Sequence, residues 1–230
     1  MRLDPIKSQP AALPALPRGT VLFADLRGYV SMAERLEPQY LATLLDEFFS
    51  ALTVSVELQG GQVYHTAGDA LMAGFGLAEA QADGAQAALA AGRDMLTRFA
   101  DLADRWRHDA QIQAGLGVGL HLGEVALATF GPATRRVATL VGDTPNVAAR
   151  LCSRARAGEV LFSCTVAAAL HAGALAEPAA ASSAATAAFL QLPRYELRGR
   201  REPLDIWCIP AGRRQVEAIG FELRGAEHWQ

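Results

Sequence analysis

Two aspartates stand where a carboxylate is costly. Asp25 ends the apolar run TVLFAD, and Asp69 follows Gly68 between two short apolar runs, GQVYHT and DALMAGFG. A carboxylate at the end of a buried strand needs a partner or a cation. Taken singly, each has an ordinary reading, Asp25 as a turn or capping residue and Asp69 as a turn residue. Taken together they say more. If the hairpin carrying Asp69 lies beside the strand carrying Asp25, the two charges repel unless a cation sits between them. Hard oxygen ligands of this kind suit Mg²⁺ or Mn²⁺, whose coordination is commonly completed by phosphates. Asp25 is followed by Leu26, Arg27, Gly28 and Tyr29. Gly28 allows close approach of the backbone to a ligand, and the head of the next helix offers free N–H groups to a phosphate. A third feature is Asn146-Val-Ala-Ala-Arg150, whose i, i+4 spacing puts both polar groups on one helix face. An Arg beside an Asn suits a phosphoryl group or a ribose oxygen, and a solvated helix face is the plain alternative.

The elements that must position these residues are legible in outline. TVLFAD (20–25) reads as a buried strand, and 31–59 as one amphipathic helix with Pro38 near a first turn. Gly60-Gly61 ends it. Two strands follow with a turn at Ala67-Gly68, then a long Ala-rich helix over 79–106. Residues 111–131 read as two strands joined near 123–124, and TPNVAARLCSRA as a helix with Pro145 in its first turn. EVLFS (159–163) is a further strand, and 194–210 a closing hairpin. Residues 172–190, rich in Ala and Ser, read as a loop or a poorly patterned helix. The order implies an α+β fold: an antiparallel sheet with helices on one face and a ferredoxin-like βαββαβ core. The expected division is an extended N-terminal arm (1–18, with Pro5, Pro10, Pro14 and Pro17), one domain (19–210) and a polar C-terminal tail (211–230).

Four blocks in order, LFADLRGYVSMAERL, GGQVYHTAGDALMAGFG, GLGVGLHLGEV and TLVGDTPNVAARL, resemble the signatures of the class III nucleotidyl cyclase catalytic domain. RYELRGRREPLDIWCI resembles that family's closing strand pair, so the resemblance runs from about Arg18 to Pro210. It implies formation of a 3′,5′-cyclic nucleotide and pyrophosphate from a nucleoside triphosphate. It implies two divalent ions, Mn²⁺ or Mg²⁺, on Asp25 and Asp69, with the Leu26 carbonyl between them. Asn146 would orient the ribose and Arg150 would meet the charge building on the α-phosphate. Arg27, Gly28, Tyr29 and Arg198 or Arg200 would attend the phosphates, and Thr139 would read the base. The family draws its metal residues from one subunit and its ribose, base and arginine residues from another, which implies a homodimer with active sites at the interface.

The base-reading positions depart from the purine-specific pattern. His65, preceded by Tyr64, stands where adenylate cyclases of the family usually have Lys and guanylate cyclases Glu. His and Thr together offer a donor and acceptors, as uracil requires. The arrangement is similar to that of the pyrimidine cyclases of bacterial antiphage systems, which implies cyclic UMP or cyclic CMP as an alarm signal. Two alternatives stay open: an adenylate cyclase in which His65 replaces Lys, and a non-catalytic nucleotide-binding dimerisation module. Retention of Asp25, Asp69, Asn146 and Arg150 argues against the module.

Composition narrows the field further. The net charge of −3 over 230 residues provides no general attraction to nucleic acid or membrane surfaces. Three widely spaced cysteines (Cys152, Cys164 and Cys208), with no CxxC, argue against a disulfide framework or a zinc site. No apolar run is long enough to span a bilayer, and a cytoplasmic protein is expected. His121, between apolar neighbours in a Gly-rich strand, reads as structural.

Overall fold

The computed structural model describes residues 17–77, 83–176, 189–196 and 202–212. Its elements run β1 (Arg18–Arg27), α1 (Tyr29–Arg35), α2 (Pro38–Leu58), β2 (Gln62–Ala67), β3 (Ala70–Phe75), α3 (Ala85–Ala110), β4 (Gly115–Glu124), β5 (Ala126–Phe130), β6 (Val137–Val141), α4 (Asp143–Arg154), β7 (Glu159–Ser163), α5 (Cys164–Ala176), β8 (Leu190–Tyr195) and β9 (Leu204–Ile209). The fold is α+β. Seven strands form one sheet in the order β2-β3-β1-β4-β7-β9-β8, and β5 and β6 form a separate two-stranded ribbon. The β2-β3-β1-β4 portion is antiparallel, with helices between β1 and β2 and between β3 and β4, the ferredoxin-like arrangement.

Alternation along β1 divides the sheet into two environments. Leu22, Ala24 and Leu26 enter the main core with Leu116, Val118 and Leu120 of β4. That core is closed by α2 through Leu44, Phe48, Leu52 and Val56, by α3 through Met95 and Phe99, and by α5 through Val166 and Leu170. Each such side chain, fully buried, contributes about 1.5–3 kcal/mol. The other face of β1 carries Val21, Phe23, Asp25 and Arg27, and there α4 packs on β4 and β1.

Four expectations need correction. The single helix over 31–59 is two, because Pro38 forces the residue before it out of the helical region: Glu37 has ψ 137° and Leu36 ψ 147°. Helices lie on both faces, since α4 takes the face opposite α2, α3 and α5. The sheet has one parallel junction, β4 with β7, which α4 makes possible as the crossover between them. The two strands over 111–131 do not pair with one another: β4 joins the main sheet and β5 pairs with β6. In addition, α5 begins at Cys164, ahead of the stretch where a poorly patterned helix was one option. It is apolar almost all round, so no amphipathic period marks it in the sequence.

Candidate active site

Register brings the two aspartates together. Asp25 lies opposite Ala70 in the β1–β3 ladder, so Asp69, at the turn before β3, adjoins it. The Leu26 amide donates to the Asp69 carbonyl at 3.0 Å and ties the turn to β1. Gly68, at φ +60°, supplies the left-handed residue that the β2–β3 turn requires. Burial raises the Asp25 carboxyl above its ordinary value; Arg27 opposes that shift and the charge of Asp69 adds to it. The negative charge of Asp69 beside Asp25 is one that a divalent cation between them could relieve. The described residues contain no cluster of three or more His, Cys, Asp or Glu. The donor set is therefore two carboxylates with nearby backbone oxygens. That set fits a hard ion that keeps places for water and phosphate.

Arg27 is already engaged. Its guanidinium pairs with the Asp25 carboxylate and donates to the carbonyls of Cys152 and, at 3.1 Å, Ala155, at the end of α4. Arg27, expected at the phosphates, thus also braces the end of α4. Tyr29 is half-buried and packs against the main core. Gly28 precedes α1 with φ +93°; a Cβ there would lie 2.8 Å from the Gln113 carbonyl.

Tyr64 and His65 are presented by a β-bulge. Val63 pairs with Ala73 and His65 with Met72, so the intervening residue is unpaired. The bulge turns two successive side chains toward the α4 face. Tyr64 packs with Val21, Met72 and Leu140 and lines a cavity of about 200 Å³ with Val125 and Leu127; burial raises its phenol. His65 is exposed. β6 runs beside β2, and Thr139 sits half-buried on it opposite Ala128.

Asn146 and Arg150 lie on the exposed side of α4, while Thr144, Val147, Ala148, Leu151 and Cys152 face the sheet. They therefore point away from Asp25, which lies beneath the end of the same helix. The helix seats closely on β4 at Gly119 and Gly123. A Cβ on Gly119 would meet the backbone of Ala148 and Cys152. The Thr144 hydroxyl donates to the Glu124 carbonyl at 2.6 Å and pins the head of α4. Sequence reasoning missed the Arg27 brace and this glycine seat; glycine at alternate positions in GLGVG was the available signal. Arg198 and Arg200 lie outside the described residues. His121 is buried and hydrogen-bonded to Ser163 at 2.7 Å, as suits a structural residue.

The comparisons with known proteins agree on the family. Residues 15–209 match the model of the adenylate and guanylate cyclase catalytic domain. An adenylate cyclase from Anabaena cylindrica is 32% identical over 135 residues, covering 58% of this chain and 26% of that protein. An uncharacterised protein of Mycobacterium tuberculosis is 32% identical over 136 residues, covering 59% and 24%. The chain thus spans about a quarter of the length of the curated relatives it matches. The crystal structure of the adenylyl cyclase CyaB from P. aeruginosa superposes with a TM-score of 0.73 at 24% identity, covering 86% of this chain and 96% of that one. That of the guanylyl cyclase Cya2 gives 0.70 at 24% identity, covering 87% and 96%. With the match running through every element that positions the site, this chain belongs to the adenylate and guanylate cyclase catalytic-domain family.

Proposed function

We propose that this chain is a metal-dependent nucleotidyl cyclase, converting a nucleoside triphosphate to a 3′,5′-cyclic nucleotide and pyrophosphate in sites shared between two copies. The observation that carries the reading is the split of the polar residues. Asp25 and Asp69 meet at one end of the sheet, whereas Asn146 and Arg150 face outward from α4. One copy therefore presents two half-sites, and an outward-facing Arg150 is suited to a substrate held by another copy. Exposed Phe130, Val137 and Val141 on the β5–β6 ribbon supply apolar surface for such an association.

Asp25 and Asp69, with the Leu26 carbonyl, are the residues to hold a pair of divalent ions, Mg²⁺ or Mn²⁺. When bound, such ions supply Lewis acidity at the ribose 3′-hydroxyl and at the triphosphate. The backbone at Gly28 and the head of α1 receive phosphate oxygens. Arg150 from the second copy places positive charge where the α-phosphate gains negative charge, and loss of such a group typically costs about a hundredfold or more in rate. Asn146 orients the ribose. Arg198 or Arg200 adds a cation to the triphosphate.

For the base, we favour a pyrimidine, giving cyclic UMP or cyclic CMP as a signal in antiphage defence. Tyr64 and His65 project from one bulge beside Thr139's strand, and none of the three is a Lys or Glu. The second reading, cyclic AMP, draws on likeness to the Anabaena relative and leaves His65 as the donor to adenine. The test is incubation of the protein with Mn²⁺ and each of ATP, GTP, CTP and UTP, products identified by mass, with Asp69→Ala as control. A cyclic pyrimidine supports the first reading and cyclic AMP the second. No product from any of the four, with the dimer demonstrated, leaves a non-catalytic module. Mixing inactive Asp69→Ala and Arg150→Ala chains tests the shared site. Recovery of part of the activity is expected, and its absence in a proven heterodimer would sink the two-copy arrangement.

A further inference from the structure

Arg27 lies in a seat built for a guanidinium. On one side is the Asp25 carboxylate; on the other are the carbonyls of Cys152 and Ala155. These carbonyls belong to the last turn of α4, with Ala155 as its C-cap, where the helix dipole favours a cation. The floor is Gly117 of β4. A Cβ there would stand 2.9 Å from Arg27 Nε and 3.0 Å from Cζ, so any other residue would unseat the group. Arg27 is half-buried, at 22% side-chain exposure against 28% for Asp25. Its planar fork bonds the carboxylate through one nitrogen and the helix end through another.

This seat joins two things the reaction would use separately. Asp25 stands beside Asp69, and its guanidinium partner among the described residues is Arg27. Arg150 lies in the same helix, just before Cys152 and Ala155, whose carbonyls Arg27 grips. A divalent ion on Asp25 would share a carboxylate whose Oδ2 the guanidinium holds, and the two cations would repel each other. Resting on the metal-site reading above, we propose that Arg27 is a positioning residue that acts as Asp25's resident counter-cation. A divalent metal must displace it, and its displacement loosens the last turn of α4. Metal occupancy at Asp25 is thereby read out on the helix that carries Asn146 and Arg150. Because those two residues would serve a second copy's substrate, filling one site adjusts the groups supplied to the other.

The test is made on the nucleotide-free full chain. Mn²⁺ affinity is measured by electron paramagnetic resonance, and amide hydrogen exchange is followed over residues 150–156 with and without Mn²⁺. The variants are Arg27→Gln, Arg27→Lys and Asp69→Ala. Arg27→Gln should bind Mn²⁺ about tenfold more tightly, because a positive charge a few ångströms from the ion is gone. In the wild type, Mn²⁺ should speed exchange at the end of α4, and in Arg27→Gln exchange should be fast with or without it. Arg27→Lys guards against a folding defect in the Gln variant. It keeps the charge, so affinity should stay near wild type, but an ammonium cannot span both partners, so the metal effect on exchange should shrink. If the wild type binds Mn²⁺ and Asp69→Ala does not, while Arg27→Gln binds no more tightly than wild type, this inference fails and the metal site stands. If the wild type binds no Mn²⁺, both fail.

Discussion

Substitution of Gly119 by Ala tests whether the seat of α4 governs the active site. Gly119 lies at the middle of β4, on the face turned to α4. The Cβ of an alanine there would stand 2.7 Å from Cys152 Cα, and closer still to the Cys152 nitrogen and the Ala148 carbonyl. Ordinary contact begins at 3.4 Å. The helix must therefore recede by about 0.7 Å at that Cα and by about 1 Å or more at the backbone nitrogen. Neither obstacle is a flexible side-chain tip, so little can give except the helix itself. Receding strains the Cys152 thiol contact to the Gly117 carbonyl at 3.3 Å and the grip of Arg27 on the helix end. Overpacking of this kind costs about 1–3 kcal/mol, and a domain of this size loses about 2–4 °C of Tm per kcal/mol. The functional effect should be larger. Asn146 and Arg150 ride on α4, and a displacement of about 1 Å of positioning groups costs about a hundredfold in rate. Gly92→Ala is the control. Gly92 faces Val118 and Val160 from α3, where a Cβ would meet them at 3.5 and 3.6 Å, ordinary contact. That substitution removes a helical glycine and should stabilise by about 0.5–1 kcal/mol with unchanged turnover. Cyclic nucleotide formation by mass spectrometry and thermal unfolding by calorimetry report the two effects. If Gly119→Ala turns over at the wild-type rate well below its Tm, the reasoning that ties α4's seat to catalysis is wrong.

Further outcomes are expected. Phe99 is buried between Phe48 and Trp106 in edge-to-face contact with both; Phe99→Ala should cost about 3–5 kcal/mol, read by urea titration. Asp25→Asn should stabilise the metal-free fold at neutral pH. Burial, reinforced by Asp69, raises the folded-state carboxyl above its unfolded value. Its stability contribution is therefore full below the unfolded value and lost as pH rises through the folded one. The gain from Asn should vanish in acid, and a gain independent of pH would contradict this account. Cys152 is buried and its thiol is pushed up to about 12. Iodoacetamide at pH 8 should modify partly exposed Cys164 and spare Cys152 and Cys208, as peptide mapping can check. Early labelling of Cys152 would mean that α4 opens readily.

The candidate residues stand out in the sequence because their signals are local. A carboxylate closing an apolar strand, a Gly-Asp turn and an Asn–Arg pair at i, i+4 are each set by neighbours in the chain. Register then followed, since a one-residue slip would turn Asp25 into the main core. The long-range partners were not legible. Nothing near Arg27 in the chain points to the carbonyls, 125 and 128 residues away, that take its hydrogen bonds. Tyr29 sits beside the loop in sequence and beside the core in space.

By itself, then, the sequence determined the strands β1, β2, β3 and β7, the long helices α3 and α4 and the turns that glycine sets between them. Those depend on periodicity, on glycine and proline stereochemistry and on spacing within one element. Tertiary structure decided which face of the sheet α4 covers, that β4 and β7 run parallel, that Tyr64 and His65 share a bulge, and where Arg27 spends its charge. These depend on which distant backbone atoms come within reach of a side chain, and packing sets that distance only once the whole sheet has formed.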